Sequence, residues 1–326
     1  MMKRGVSCLS LFLLTVAAAA APACTGDDGP PPSRGVSGSG GAPPGGAPGG
    51  ADVAAASPPA TPDAFDVLAL GEGNKVFYFK SDDPGSAKQA TIAGADADFE
   101  GIDLRPSDGL IYGLTGGGEL YKLDVELSGD DLVVRARAGA EVGGLAVGEG
   151  GVAFDFNPKS AIPADKGGDG GNALRLIAEA TNYRLNPVNA SIAGKDSPLA
   201  YKAGDENEGK EPGVVAAAYT NAFRGAAGTT LYDIDVANGT LVRQGDPDPN
   251  LGVLTTVGPL GEEFGDALGF DIVTTAGPDG VVDAGFLVHG ETFYSIGLRA
   301  GGARPIGAVA GASGLRGVVV MVPTAR

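Results

Sequence analysis

The sequence predicts an all-β fold, a β-propeller of five blades closed by the C-terminal strand. Three observations carry that expectation: a strand cassette recurs along the chain, each copy alternates with period two, and the two ends of the folded part complement each other. The cassette is clearest at 101–124, where GIDLRPSDGLIYGL leads to ELYKLD. Segments that alternate apolar with polar or small residues between Gly, Pro and Asp breaks form half-buried strands. A unit built only of such strands cannot bury both of its faces, so its copies must stack on one another.

The folded part opens with FDVLALGEGNKVFYFK at 65–80 and QATIAG at 89–94, which match the second, third and fourth strands of a cassette without its first. Opening strands then come at GIDLRP (101–106), AFDFNP (153–158), AAAYTN (216–221) and GFDIVT (269–274). The later strands repeat as LIYGL and ELYKLD, ALRLIAEA and TNYRLNP, TTLYDIDV and TLVRQG, and AGFLVHG and TFYSIGL. RGVVVM at 316–321 supplies the strand that the first copy lacks, and a ring closed in this way leaves no long sheet edge exposed. At roughly 50 residues per blade, 63–326 holds five: the closing blade and those opening near Gly101, Val152, Val214 and Ala267. A sixth arises only if Tyr201–Gly261 conceals a short extra blade.

The N-terminus has a different organisation. Lys3 and Arg4 precede the apolar run LSLFLLTVAAAAA, which ends at Ala21-Pro22-Ala23-Cys24. A basic start, a short apolar core and small residues before a cut describe an export signal over 1–23, too short to span a membrane comfortably. Cleavage after Ala23 suits ordinary signal peptidase, while Cys24 stands where bacterial lipoproteins carry their lipidated cysteine. Ala21 and Pro22 make the lipobox imperfect. Lipidation of Cys24 is the preferred reading because the chain has only one other cysteine, Cys8 inside the signal, and a cysteine at the cut is improbable by chance. The mature fold then has neither a disulfide nor a cysteine metal site. From Cys24 to Pro62 the composition falls to Gly, Pro, Ala, Ser and Asp, too poor in apolar side chains to recover the entropy of ordering, and reads as a disordered tether.

Residues 1–23 hold two cations and no acid, so the mature chain carries −19 against −17 for the whole. That acidity excludes nucleic acid, whose binding needs clustered basic residues. It suits solubility outside the cell and permits cationic ligands.

The series GIDLRPSDGLIYGL, ELYKLD, AFDFNPKSA, LRLIAEATNYRLNPVNA, VVAAAYTN, TTLYDID and GFDIV, in order across 65–322, resembles the bacterial family called domain of unknown function 4394. The resemblance implies an exported, often lipid-anchored repeat protein. It supplies no catalytic residue, since the family has no assigned activity. This chain departs from the pattern by inserting PADKGGDGG at 163–171.

Residues able to do chemistry are few. His289 is the only histidine, which excludes multi-histidine metal sites, and its place beside Gly290-Glu291 reads as a turn-flanking side chain. No GxSxG elbow, P-loop, HExxH or CxxC is present. Asp103, Asp155 and Asp271 occupy the same place in three opening strands, with Ala218 and Val318 there in the other two. They either bond the backbone of a neighbouring strand or converge in the channel as a candidate metal site for calcium or as carboxylates for glycoside chemistry. A second group, Arg175, Asn182, Tyr183, Arg184, Asn186, Tyr219, Thr220 and Asn221, breaks the symmetry of the repeat and offers planar donors, amides and phenols suited to a carboxylate, sugar or peptide. The acidic segments at 128–131, 245–250 and 276–285 read as hairpin turns.

The sequence is therefore expected to encode a lipid-anchored module of the bacterial cell envelope, at the outer membrane or cell surface, with plain secretion as the alternative. Its expected role is non-catalytic binding of an extracellular protein or glycan by a monomeric domain that needs no cofactor. The alternative is a carbohydrate-active or lactone-hydrolysing propeller that uses the channel carboxylates with or without a divalent cation.

Overall fold

The cassette strands are strands in the computed structural model, which describes residues 57–145, 147–148, 151–245, 248–278 and 280–323. The signal, Cys24 and the tether as far as residue 56 lie outside the described residues. Strands β1 (Asp66–Leu70), β2 (Lys75–Lys80) and β3 (Asp83–Thr91) begin the first blade. The second holds β4 (Phe99–Arg105), β5 (Leu110–Thr115), β6 (Glu119–Ser128) and β7 (Asp131–Glu141). The third holds β8 (Ala153–Phe156), β9 (Leu174–Ala178), β10 (Thr181–Asn186) and β11 (Ser191–Lys195). In the fourth are β12 (Ala200–Tyr201), β13 (Val214–Tyr219), β14 (Leu231–Asp235), β15 (Thr240–Gln244) and β16 (Val253–Pro259). The fifth has β17 (Leu268–Gly277), β18 (Gly280–His289), β19 (Thr292–Ile296) and β20 (Ala303–Ala308), after which β21 (Gly317–Met321) returns to the first.

Closure rests on the complementarity of the two ends. β21 pairs antiparallel with β1, Met321 opposite Asp66 and Gly317 opposite Leu70, so the first sheet runs β21-β1-β2-β3. The blades number five. The stretch 201–261 completes the fourth, whose outer edge is covered by β12 lying parallel on β16. In every blade the register shifts between the third strand and the antiparallel strand outside it, at Tyr78/Lys80, Leu120/Lys122, Arg184/Leu185, Leu241/Val242 and Phe293/Tyr294. Bulges at the same seam in all five blades twist the rims and blunt edges that would otherwise template aggregation.

The innermost strands β21, β4, β8, β13 and β17 pack side by side in a ring. Most seams between blades are filled by large side chains: Phe77, Phe79, Phe286 and Phe293 between the fifth and first, Tyr112, Leu114, Phe154 and Phe156 between the second and third. Between the third and fourth the cluster is smaller, built on Ala153, Ile177, Ala217, Tyr219 and Leu231. At one end of the channel the inner strands meet almost backbone to backbone. A Cβ on Gly269 would lie 2.6 Å from the Gly317 backbone, so only glycine permits that approach. The other end widens into a cavity.

Because β21 is the inner strand of the first blade, deleting residues from Leu315 onward strips the ladder from β1 and opens the ring. The truncated protein should lose cooperative thermal unfolding. A truncated chain that melts as the intact one does would show that closure is not needed.

Candidate functional site

The wide end of the channel is built by the turns after β4, β8 and β13 together with the ends of β17 and β21. These enclose a cavity of about 320 Å³ whose walls include Leu104, Pro106, Phe156, Phe223, Ile272 and Val320. Asp103, Asp155 and Asp271 line it, each buried, with one carboxylate oxygen from each lying within 4.8 Å of the others. The last residues of the stretch expected to be tether also reach this mouth. Pro59 lines the cavity, Ala60 bridges to Ala276, and the Thr61 hydroxyl donates to Thr275 Oγ1 at 2.7 Å.

Each aspartate is held by its own strand, by the next one round the ring, or by both. Asp103 accepts the backbone N–H of Leu104 at 2.7 Å and, across the seam, that of Phe156 at 2.8 Å. Asp271 accepts Ile272 N–H and, across the seam, Val320 N–H, both at 2.6 Å. Asp155 faces the Tyr219 backbone N–H across its seam, which favours its charged form against burial. The repeat thus aligns Phe156, Tyr219 and Val320, which places Val319 rather than Val318 at the aspartate position of the last inner strand; Ala218 stands there in the fourth blade as read from the sequence. The two seams without aspartate are joined differently. Ala222 N–H donates to Thr274 Oγ1 at 3.2 Å, and Arg316 pairs with Glu100 at 3.3 Å.

The two sequence readings of the aspartates therefore describe one arrangement, since the carboxylates bond neighbouring backbone and also converge. Burial is the main reason each of them holds its proton more tightly than an ordinary carboxyl. The charge of Asp271 adds to this at Asp103, and the charges of Asp103 and Asp271 add to it at Asp155. Asp271 is pushed up to about 6 by burial against the opposing effect of its two backbone bonds. A further buried carboxylate, Asp233 on β14, has no hydrogen-bond partner on either oxygen among the described residues and is likewise raised by burial, with Arg175 opposing.

The second sequence-predicted group separates. Arg175, Asn182, Arg184 and Tyr219 come together as a latch in the seam whose apolar cluster is small. The buried Arg175 guanidinium donates to Asn182 Oδ1 at 2.6 Å, Asp196 Oδ2 at 2.5 Å, Asn250 Oδ1 at 2.7 Å and Tyr219 Oη at 3.3 Å. Arg184 donates to both oxygens of the same Asp196. Tyr183 points to the other face of β10, buried in the second seam cluster with Lys195 Nζ 5.2 Å from its ring centroid. Asn186 accepts Val188 N–H and donates to Lys166 O at the turn after β10. Thr220 and Asn221 shape the turn after β13: Thr220 Oγ1 accepts Thr230 N–H, and Asn221, at φ 55, donates to Gly228 O. His289 is turned away from the channel chemistry and accepts Gly265 N–H at 3.1 Å, with its ring edge-on to Phe264.

Sequence reasoning missed Asp196 and Asn250, which complete the latch, and Arg105. Arg105 is buried at the end of β4 and forks onto Asp169 of the 163–171 segment at 2.8 and 2.7 Å, with Asp108 3.0 Å from the same guanidinium. The hydrogen bonds from Arg105 hold Asp169 down at about 2. A signal for it existed, because the repeat has Asn157 and Val273 where the second blade has Arg105.

A family model for the domain of unknown function 4394 matches residues 75–319, and the chain belongs to that family. No curated protein matches it. Among solved structures, the crystal structure of a protein from Lactobacillus plantarum is similar at a TM-score of 0.38 and 10% identity, over 79% of this chain and 99% of that one. A likeness of that size carries no argument about function.

The raised carboxyls set the sign of the pH dependence. Below about pH 4 Asp271 is protonated both folded and unfolded; between about pH 4 and 6 the unfolded chain releases the proton first, and stability falls as pH rises. The loss from this residue is on the order of 2–3 kcal/mol, complete above its folded value. Asp103 and Asp155 act in the same direction. Asp103→Ala strands the N–H groups of Leu104 and Phe156 and should cost about 1–3 kcal/mol at pH 5, and less at pH 8, where removing a charge relieves repulsion. Urea melts at the two pH values check this, and an equal cost at both would rule out the electrostatic coupling.

Proposed function

We propose that this protein is a non-catalytic binding or scaffold module of the bacterial cell envelope, anchored by lipid on Cys24, which takes its ligand at the wide mouth of the channel. The observation that carries this reading is the commitment of two of the three channel carboxylates, Asp103 and Asp271, to backbone N–H groups of the next inner strand. An acid and base pair needs carboxyl groups free to face a substrate and a water. Beyond the aspartates the polar side chain lining the cavity is Thr274, whose hydroxyl is already engaged by Asp283 and Ala222. What the mouth offers is an apolar wall above a bonded floor, the lining common in sites that bind without reacting.

The convergence of the same oxygens within 4.8 Å favours a second reading, in which a divalent cation occupies the floor and supports chemistry on a glycoside or lactone. Melts of wild type and of the Asp103→Asn, Asp155→Asn and Asp271→Asn variants, with and without calcium at pH 7.5, separate the two. The binding-module reading expects wild type to melt alike with and without calcium. A wild type stabilised by calcium, together with variants that are stabilised and no longer respond, would establish the cation site instead.

Lipid anchoring is tested separately. Cys24→Ser should move the protein from the membrane fraction to the soluble exported fraction. Wild type found soluble, with Cys24 unmodified by mass spectrometry, would establish ordinary secretion.

A further inference from the structure

The floor of the channel mouth gathers three carboxyls that no protein cation answers. Among the described residues no lysine, arginine or histidine lines the cavity, and the charges that act on Asp155 there, those of Asp103, Asp271 and Asp233, all belong to carboxyl groups.

A separate observation concerns the bonding of Asp155. In Asp103 and Asp271 one oxygen accepts the N–H of the residue that follows, and the other accepts the N–H of the next inner strand. The same pattern would give Asp155 the N–H of Phe156. However, β4, the preceding inner strand, also carries an aspartate, and Asp103 takes that N–H. The strands that precede β4 and β17 have Val319 and Ala218 at this place, so Leu104 N–H and Ile272 N–H stay with their own aspartates. Asp155 is left facing Tyr219 N–H alone. Its other oxygen has no donor among the described residues, although Asp155 is only 5% exposed and its carboxylate is one of the three that converge on the cavity. Buried acceptors are nearly always satisfied, so a donor is expected from whatever occupies the mouth.

The occupant has to bring positive charge, hydrogen-bond donors and an apolar body. A metal ion brings the first alone: calcium takes about six to eight oxygens. Beyond the aspartates the side-chain oxygen lining the cavity is that of Thr274, already engaged by Asp283 and Ala222. A primary ammonium needs only three acceptors, and three acceptors about 2.8 Å from one tetrahedral nitrogen stand about 4.6 Å apart. The three carboxylate oxygens lie within 4.8 Å of one another. Above them Leu104, Phe156, Phe223, Ile272, Val320 and Met321 line a cavity of about 320 Å³, which has room for an alkyl chain and favours its removal from water.

We infer that the channel mouth binds a primary alkylammonium, its nitrogen among Asp103, Asp155 and Asp271 and its chain along the apolar wall. The inference rests on the binding-module reading and names the ligand class that this reading takes at the mouth. The calcium melts test that reading without any amine, and the amine titrations contain chelator, so the two can fail separately.

Titration calorimetry of the full chain at pH 7.5 in chelator, with n-hexylamine, n-hexanol and methylamine, tests it. Hexanol keeps the chain without the charge, and methylamine keeps the charge without the chain. Hexylamine should bind at least about tenfold more tightly than either. Asp155→Asn, which keeps the shape and removes the charge, should weaken hexylamine by about tenfold or more and leave hexanol unchanged. Phe223→Ala, in the turn after β13 where the ring is half-buried, should weaken hexylamine by about threefold or more and leave methylamine unchanged. Nα-acetyl-lysine amide, which carries the same ammonium on a peptide unit, separates the sources: binding as tight as that of hexylamine assigns the site to a protein's lysine side chain, and weaker binding assigns it to a free amine. Hexanol or methylamine binding as well as hexylamine, full hexylamine affinity in a folded Asp155→Asn, or no heat at about 10 mM hexylamine would each overturn the assignment. The comparison of ligands on wild type decides even if the variant does not fold.

Discussion

Blades of a propeller are laddered by backbone hydrogen bonds internally but not to one another, so the ring depends on what crosses between the innermost strands. Here two of the five crossings are the same bond, a carboxylate accepting the backbone N–H of the next inner strand at Phe156 and Val320, and at a third Asp155 faces the Tyr219 N–H. Inner strands are buried, and their outward N–H groups would lack partners without such an acceptor. The crossings without aspartate recruit a threonine hydroxyl and an arginine–glutamate pair, and they lie where the apolar clusters between blades also contribute.

The same constraint creates the chemistry of the channel. Five blades leave a narrow bore, at one end of which Gly269 comes close to the Gly317 backbone of the neighbouring inner strand. Carboxylates that reach across seams of so small a ring cannot stay apart, and burial then makes their joint ionisation unfavourable. A bond pattern that holds the blades together thus also raises the proton affinity of the carboxyls on the channel floor. Where the apolar cluster in the seam is small, between the third and fourth blades, the fold adds a buried arginine satisfied by Asn182, Asp196, Asn250 and Tyr219. Four partners are what make such a buried charge tolerable.

Much of this is legible in the residues alone. The echo of Asp103 in Asp155 and Asp271 marks the inner strands, and RGVVVM is recognisable as the missing partner of FDVLAL because strand alternation and turn residues are local properties. Arg175 and Arg184 stand out by breaking the repeat, but their partners Asp196 and Asn250 do not. Asn250 lies 75 residues from Arg175, in a turn that reads as ordinary acidic punctuation. Tyr183 and Asn186 share the motif of Arg184 without sharing its site. Successive residues of a strand point to opposite faces, which carries Tyr183 into the neighbouring seam, and Asn186 engages its amide in the turn after β10.

By itself, then, the sequence determined the fold class, the blade boundaries, the order of closure and the positions of the channel carboxylates, all of which rest on periodicity and near-neighbour turn chemistry. Only the tertiary structure decided that those carboxylates lie within 4.8 Å of one another while Asp103 and Asp271 bond the next strand, that Arg105 grips the 163–171 segment, and that Lys159 and Arg224 line one cleft. The reason is geometric. Distances across a closed ring depend on the number and tilt of its blades, and residues some 50 or more positions apart become neighbours only once it has closed.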